Sequence, residues 1–323
     1  MIPQLVFHLG DRKCGSTSIQ HALAQKLWTS EHRSLAFMAR DHNGPLAQCL
    51  VDMQDSDRAG NRFANLATRL ARVEADVAVV SSESFEDVSP RALAQMIESY
   101  LPEYQADMRL IAYVRPHGAR ILSGYAEQIK RGQSLADLGE FFAEGVFLER
   151  FEYFNRFKAW KQVFGPRFEL RVLDRSRLKG SCVVQDFLDF ALEGAAFTLQ
   201  GPIETNPSLC LQDLAVLREV HRVMGANPAR ASELGAKLAD ILAVLPRGKA
   251  TKLQFPKALV QDTFDLCRQD AENMDKMFFE DTPMMDALTA LSAHAVPDMP
   301  SLQMSDYYDA DQIRLIRALI ALL

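Results

Sequence analysis

The sequence predicts an α/β fold: a parallel sheet flanked by helices, followed by a helical C-terminal portion. Two observations carry this. Four short apolar runs are each followed by a stretch of helical periodicity, the alternation that crossover connections and a parallel sheet produce. From about Asn206 strand signals vanish and helical periods take over. The expected organisation is an α/β core over residues 1–205 and a helical portion over 206–323 that packs on it.

The apolar runs are Leu5–Leu9, Val77–Ser81, Leu110–Val114 and Phe168–Leu173. They are short and rich in β-branched or aromatic residues, as buried strands are. The helices between them are expected over Thr17–Leu27, Pro90–Tyr100, Ala119–Lys130 and Phe151–Phe164. Ser89-Pro90 reads as a cap with proline in the first turn, and "FGPRF" as a helix stop leading into the last strand. Asp55–Asn61 ("DSDRAGN") reads as a surface loop. In the C-terminal portion the helical periods are clearest in "LCLQDLAVLREVHRVM" and "LVQDTFDLCRQDAENMDKMFF". The last stretch, "IRLIRALIALL", reads as a docking helix, with a membrane-surface or partner helix as the alternative.

The hydrophobic and charged fractions, 48% and 24%, are those of an ordinary globular protein. A formal charge of -6 argues against a nucleic-acid binder that works through a broad basic face. The five cysteines, Cys14, Cys49, Cys182, Cys210 and Cys267, are scattered without a CxxC pair. Reduced thiols and a cytoplasmic setting are expected, with no zinc site. The first residues carry neither a basic leader nor a long apolar region, and no apolar run reaches the ~18 residues of a membrane span.

The chemistry is expected in "LGDRKCGSTSIQ", Leu9–Gln20, between the first strand and the first helix. Such a loop brings backbone N–H groups and a helix dipole to one point, and both favour an anion. Gly10 and Gly15 allow a tight turn, Lys13 adds a positive charge, and Thr17 and Ser18 supply hydroxyls. The glycine spacing approaches a Walker A loop, but Ser16 stands where that motif has its lysine. A second constellation is "LIAYVRPHGARILSGY": Arg115 directly follows a buried strand, and Ser123 lies eight residues on, in the next helix. The two could converge on one phosphate, the arginine through a forked pair of bonds.

Together these residues resemble the sulfotransferases that use 3′-phosphoadenosine 5′-phosphosulfate (PAPS), a P-loop-type fold. "KCGSTSIQ" is similar to the loop that binds the 5′-phosphosulfate in that family, and Arg115 and Ser123 match its 3′-phosphate-binding pair. "SSES", "SGYAEQIKRG", "RFELRVLDRSRLKGSCVVQDFL", "NPSL" and "CRQDAENMDKMFF" extend the resemblance, toward the bacterial branch, over most of the chain. It implies donor-binding roles for Arg12, Lys13, Cys14, Gly15, Ser16, Thr17, Ser18, Arg115 and Ser123, with adenosine 3′,5′-bisphosphate as product. Cys14 departs from the pattern, which has a small hydroxyl residue there. Relatives also close a basic C-terminal loop on the 3′-phosphate; in "LPRGKATKL", with Arg247, Lys249 and Lys252, the residue chosen is Lys249, against a solvated charge run.

The resemblance implies catalysis by Lys13, on the leaving oxygen, and by a base on the acceptor. Glu83, at the end of the second strand, and His42, on the loop after the first helix, are the candidates, with Glu83 placed first. A sulfuryl group in transfer carries less negative charge than a phosphoryl group, so a lysine and amides can serve without a metal. No clear carboxylate site for a metal is visible, so none is expected. His117 follows a proline and begins a helix; the role of Arg120 is open. A kinase-like phosphotransferase and a non-catalytic nucleotide-binding module remain as alternatives. The acceptor, a small molecule or glycan, stays unspecified, with the loop after Leu35 and the region Phe141–Tyr153 expected to shape its pocket.

Overall fold

The computed structural model describes residues 2–51, 56–145, 151–201, 209–225, 228–245 and 250–322. In chain order the elements are β1 (Gln4–His8), α1 (Ser16–Gln25), β2 (Trp28–Thr29), β3 (Leu35–Phe37), α2 (Gly44–Val51), α3 (Ser56–Leu70), β4 (Val77–Ser81), α4 (Pro90–Tyr100) and β5 (Arg109–Val114). Then come α5 (His117–Arg131), α6 (Leu138–Glu144), α7 (Tyr153–Phe164), β6 (Phe168–Val172), α8 (Val183–Ala191) and β7 (Thr198–Leu199). The remainder is helical: α9 (Leu211–Val223), α10 (Pro228–Val244), α11 (Val260–Phe278), α12 (Pro283–His294) and α13 (Ala310–Ile320). No helix among the described residues is long and apolar enough to cross a membrane.

The chain forms two compact units, residues 1–116 with 153–205, and 117–152 with 206–323. This differs from the expected division, which left 117–152 with the sheet. The reason is packing: α5 lies against α9, α10 and α12, all in the helical unit.

The first unit is a five-stranded sheet in the order β3-β4-β1-β5-β6, parallel throughout. All four expected strands are present, shifted by at most one residue at each end. One face buries Val6, Val79, Ile111 and Tyr113 against Ile19 and Leu23 of α1 and Phe187 and Leu188 of α8. On β6, Phe168 meets Phe157 in a stacked pair with ring centroids 6.2 Å apart and Trp160 at 6.3 Å, both from α7. Burial of these rings gives the apolar driving force for α7 to cover the sheet. After β1 the chain builds β3 and β4 on one side and then β5 and β6 on the other. That makes the C-terminal end of β1 the switch point, where open parallel sheets form their crevice.

Two sequence expectations fail in this unit. β3 was not anticipated: at three half-buried residues its signal is too short for periodicity. The expected loop Asp55–Asn61 is instead the start of α3 from Ser56 on, while Asp55 lies outside the described residues. Polar composition suggested a turn, but Ala59, Phe63, Leu66 and Leu70 recur at helical spacing and are buried. Gly60 belongs to that helix because Tyr100 lies against it: a Cβ there would meet the tyrosine hydroxyl at 2.4 Å.

In the second unit the C-terminal helix docks only in part. Ile320 is buried and Arg317 pairs with Glu219 of α9 at 2.6 Å, but Leu315 and Leu319 are 60% and 55% exposed. The Glu219 carboxyl is held down to about 2, first by its hydrogen bond to Arg222 and then by Arg317.

Candidate active site

The loop after β1 turns back on itself at the centre of the sheet edge. The Asp11 amide donates to the Tyr113 carbonyl and the Tyr113 amide to the Gly10 carbonyl, so the loop continues the pairing with β5. The Asp11 carbonyl then accepts from the Cys14 amide (3.2 Å) and from the Ser16 hydroxyl (3.1 Å). Gly10 and Gly15 hold φ of +92° and +83°, backbone that favours glycine. A Cβ on Gly15 would also strike Val183 at 2.8 Å, and one on Gly10 the Glu83 Cα at 3.0 Å. Both glycines are therefore needed for turn and close approach together.

Gly15 is the N-cap of α1, and no side chain caps this helix start. The first-turn amides of Ser16, Thr17 and Ser18 are the groups such a start offers to an anion. Ser16 is buried and committed to the Asp11 carbonyl, whereas Thr17 is exposed. Lys13, half-buried, stands at φ +63°, a left-handed conformation that costs a lysine ~1–2 kcal/mol. The Cys14 side chain does not face an anion: it is 1% exposed and lies in the core with Ile19, Val184 and Phe187. A small apolar thiol suits that position, which explains the departure from a hydroxyl residue.

Arg12 is also engaged elsewhere. Its guanidinium lies 2.6 Å from Asp87 and 3.6 Å from Glu86, and its amide donates to Glu86 at 3.2 Å. Burial opposes the charge, but Asp87, Glu86 and Glu83 outweigh it and raise the pKa. These carboxylates belong to the 3-10 turn Glu83–Asp87 that follows β4, begun by Ser82, whose hydroxyl accepts from the Ser84 amide. That turn brings Glu83 to the loop. Sequence reasoning missed the partner that locks it: Arg156 of α7 pairs with buried Asp11 and lies 4.0 Å from Glu86. One arginine inside a helix carries no sequence signal for such a role.

Beneath the loop, His8 is fully buried and its Nδ1 meets the Ser81 hydroxyl at 2.7 Å, which also takes Gln20 at 3.2 Å. Burial pushes the imidazole down from 6.5 to about 3. Between those values the unfolded chain binds a proton that the native one does not, so stability falls as pH drops below about 6.5. We expect about 1.4 kcal/mol lost per pH unit at full slope, and a flatter acid limb in His8→Gln, measured by urea unfolding from pH 7 to 4. Equal slopes in the two proteins would assign the acid sensitivity to other groups.

At the end of β5, Arg115 is half-buried, and its Nε is buried without a hydrogen-bond partner. Its carbonyl accepts from the Tyr153 hydroxyl at 3.0 Å, which fixes the backbone there. Ser123 is half-buried on α5, in the second unit. His117 and Arg120 are buried on the same helix, His117 at its first residue and 2.9 Å from Asp270. Lys249, Arg247 and the "NPS" of "NPSL" lie outside the described residues, as do 146–150 of the expected acceptor region.

His42 is exposed, and its Nδ1 accepts from the Gly44 amide at 2.9 Å, capping the start of α2. The neutral ring then carries its proton on Nε2 and presents a donor outward. Asn43 ties this loop to β4: its amide donates to the Ser81 carbonyl at 2.8 Å and its Oδ1 accepts from the Ser81 amide at 3.0 Å.

No protein-family model and no curated protein matches the sequence. Among solved structures, a sulfotransferase from Alicyclobacillus acidocaldarius is similar with a TM-score of 0.44 and 12% identity, over 85% of this chain and 95% of that chain.

Proposed function

We propose that the protein is a sulfotransferase that uses PAPS and transfers its sulfuryl group to a hydroxyl or amine without a metal. The observation that carries the reading is the pairing of two anion-seeking ends on neighbouring strands. One is the uncapped start of α1 behind the Gly10–Gly15 loop; the other is Arg115 at the end of β5, with its Nε buried and unpartnered. A buried guanidinium nitrogen without an acceptor is costly, and a phosphate would supply one. These residues fit a bisphosphorylated nucleotide.

The donor supplies an activated sulfuryl group and a stable leaving anion. Amides of Ser16, Thr17 and Ser18 and the Lys13 ammonium hold the negative charge at the reacting end. Arg115 holds the second phosphate. Glu83 removes the acceptor's proton: it stands beside Gly10 at the sheet edge. His42 is the weaker candidate, because the ring nitrogen free to meet an acceptor already carries a proton while Nδ1 caps α2. Arg12 and Cys14 act behind the loop rather than on the donor. A kinase-like reading has less support, since the lysine stands within the loop and not after Gly15.

The test is calorimetric titration with adenosine 3′,5′-bisphosphate in the absence of magnesium. Micromolar affinity is expected, weakened about tenfold or more in Arg115→Ala. Failure to bind this nucleotide, with magnesium-dependent binding of ATP instead, rejects the sulfotransferase in favour of the kinase. Binding without turnover in any acceptor screen favours the non-catalytic module.

A further inference from the structure

Between the loop after β3, α2 and α3, the first unit has a cavity of about 270 Å³ lined by Arg40, Arg62, Arg69, His42, Asn65 and apolar residues including Met38, Pro45 and Leu66. Three arginines face it and, among the described residues, no carboxylate lines it. Among the described residues none of the three has an ion-pair partner. Elsewhere in the first unit Arg12 pairs with Asp87, Arg33 with Glu193 and Arg171 with Asp186, while the exposed Arg72, Arg91 and Arg175 stand singly among the described residues. The Nε of Arg62 is buried without a hydrogen-bond acceptor among the described residues. Three like charges around one hollow repel each other, and an unsatisfied guanidinium nitrogen adds a desolvation cost. An anion in the hollow removes both penalties. His42, which caps α2 through Nδ1, leaves Nε2 as the ring nitrogen that can donate in the lining. The three arginines and His42 thus bring only donors to the lining, and Asn43 turns its side chain to the Met38 carbonyl and the Ser81 amide.

The hollow belongs to the same sheet edge as Glu83. Asn43, in its wall, makes two hydrogen bonds to Ser81 of β4, two residues before Glu83, and α2 packs on the Glu83–Asp87 turn. At just under the ~300–1,000 Å³ of drug-sized sites, its volume suits a head group or one sugar ring. We infer that this arginine-lined hollow binds the anionic end, a phosphate, sulfate or carboxylate, of a small acceptor molecule. That it serves an acceptor rests on the sulfotransferase reading; that it binds a small anion does not.

The test titrates glucose 6-phosphate, galacturonate and glucose into the full chain, with and without saturating adenosine 3′,5′-bisphosphate. We expect millimolar or tighter binding of an acidic sugar, none of glucose, and no displacement by the nucleotide. Arg69→Ala and Arg62→Ala should each weaken it about tenfold or more. Arg69 is exposed, so that variant keeps the test open should Arg62→Ala fold poorly. Binding of galacturonate as well as the phosphate means that one negative charge suffices; the phosphate alone means that two are needed. Either supports the inference. No binding of either acid, equal binding of glucose, or indifference to both substitutions overturns it, and so does displacement by the nucleotide, which would place the anion on the loop after β1. Should the nucleotide itself not bind while the acids still do, the donor reading fails and the anion site stands.

Discussion

On the proposed reaction, replacing Lys13 with alanine should lower the release of adenosine 3′,5′-bisphosphate from PAPS about a hundredfold or more. One charge-stabilising donor at a reacting oxygen is worth on the order of 10²–10³ in kcat. The conformation of the residue adds a second, independent expectation. At φ +63° the lysine pays ~1–2 kcal/mol that glycine would not. Lys13→Gly should therefore match or exceed the wild type in melting temperature while losing as much rate as Lys13→Ala. A loop residue with no part in the reaction would give an equally stable glycine variant with its activity intact. Backbone strain kept against stability is what a functional position leaves behind. Rates of both variants within threefold of wild type would remove Lys13 from the mechanism.

The α/β alternation was legible because buried parallel strands are short and uninterrupted in apolar residues: Val77–Ser81 reads the same in sequence and in structure. The loop was legible because Gly10, Gly15 and Lys13 stand together in sequence. What stayed hidden is what the fold assembles from distant segments. Asp11 and Arg156 lie 145 residues apart and meet only when α7 crosses the sheet. Arg40, Arg62 and Arg69 come from a loop and from one face of α3, a helix that the polar "DSDRAGN" disguised. Cys14 reads as a lost hydroxyl contact, but its burial makes it part of the core beneath α1. By residue type His42 and Glu83 are both candidates for a base; the Gly44 amide on Nδ1 of His42 is a structural detail of which the sequence has no sign. Types and local spacing are written in the chain, whereas pairing and tautomer depend on tertiary contacts.

Arg156→Ala should be the most destabilising single change near the loop, by ~2–4 kcal/mol, since removing one partner of a buried pair costs far more than the pair's net worth. Asp11 is 2% exposed and Glu86 7%, while the arginine that serves both keeps its guanidinium 5.0 Å over Phe157 and 5.5 Å over Tyr153. In a unit of this size the loss corresponds to a melting temperature lower by roughly 5–12 °C. Lysine should not rescue it, because an ammonium can neither fork toward two carboxylates nor stack on two rings. Arg156→Met combined with Asp11→Asn should recover part of the loss, since the double change removes a buried charge together with its counter-charge. The same variants separate support from chemistry. Arg156 touches the loop from behind, so a folded Arg156→Lys should weaken adenosine 3′,5′-bisphosphate binding only as far as the loop loosens, and much less than Arg115→Ala does. A melting temperature for Arg156→Ala within a degree or two of wild type would mean that the Arg12 pairs with Glu86 and Asp87 hold the loop by themselves.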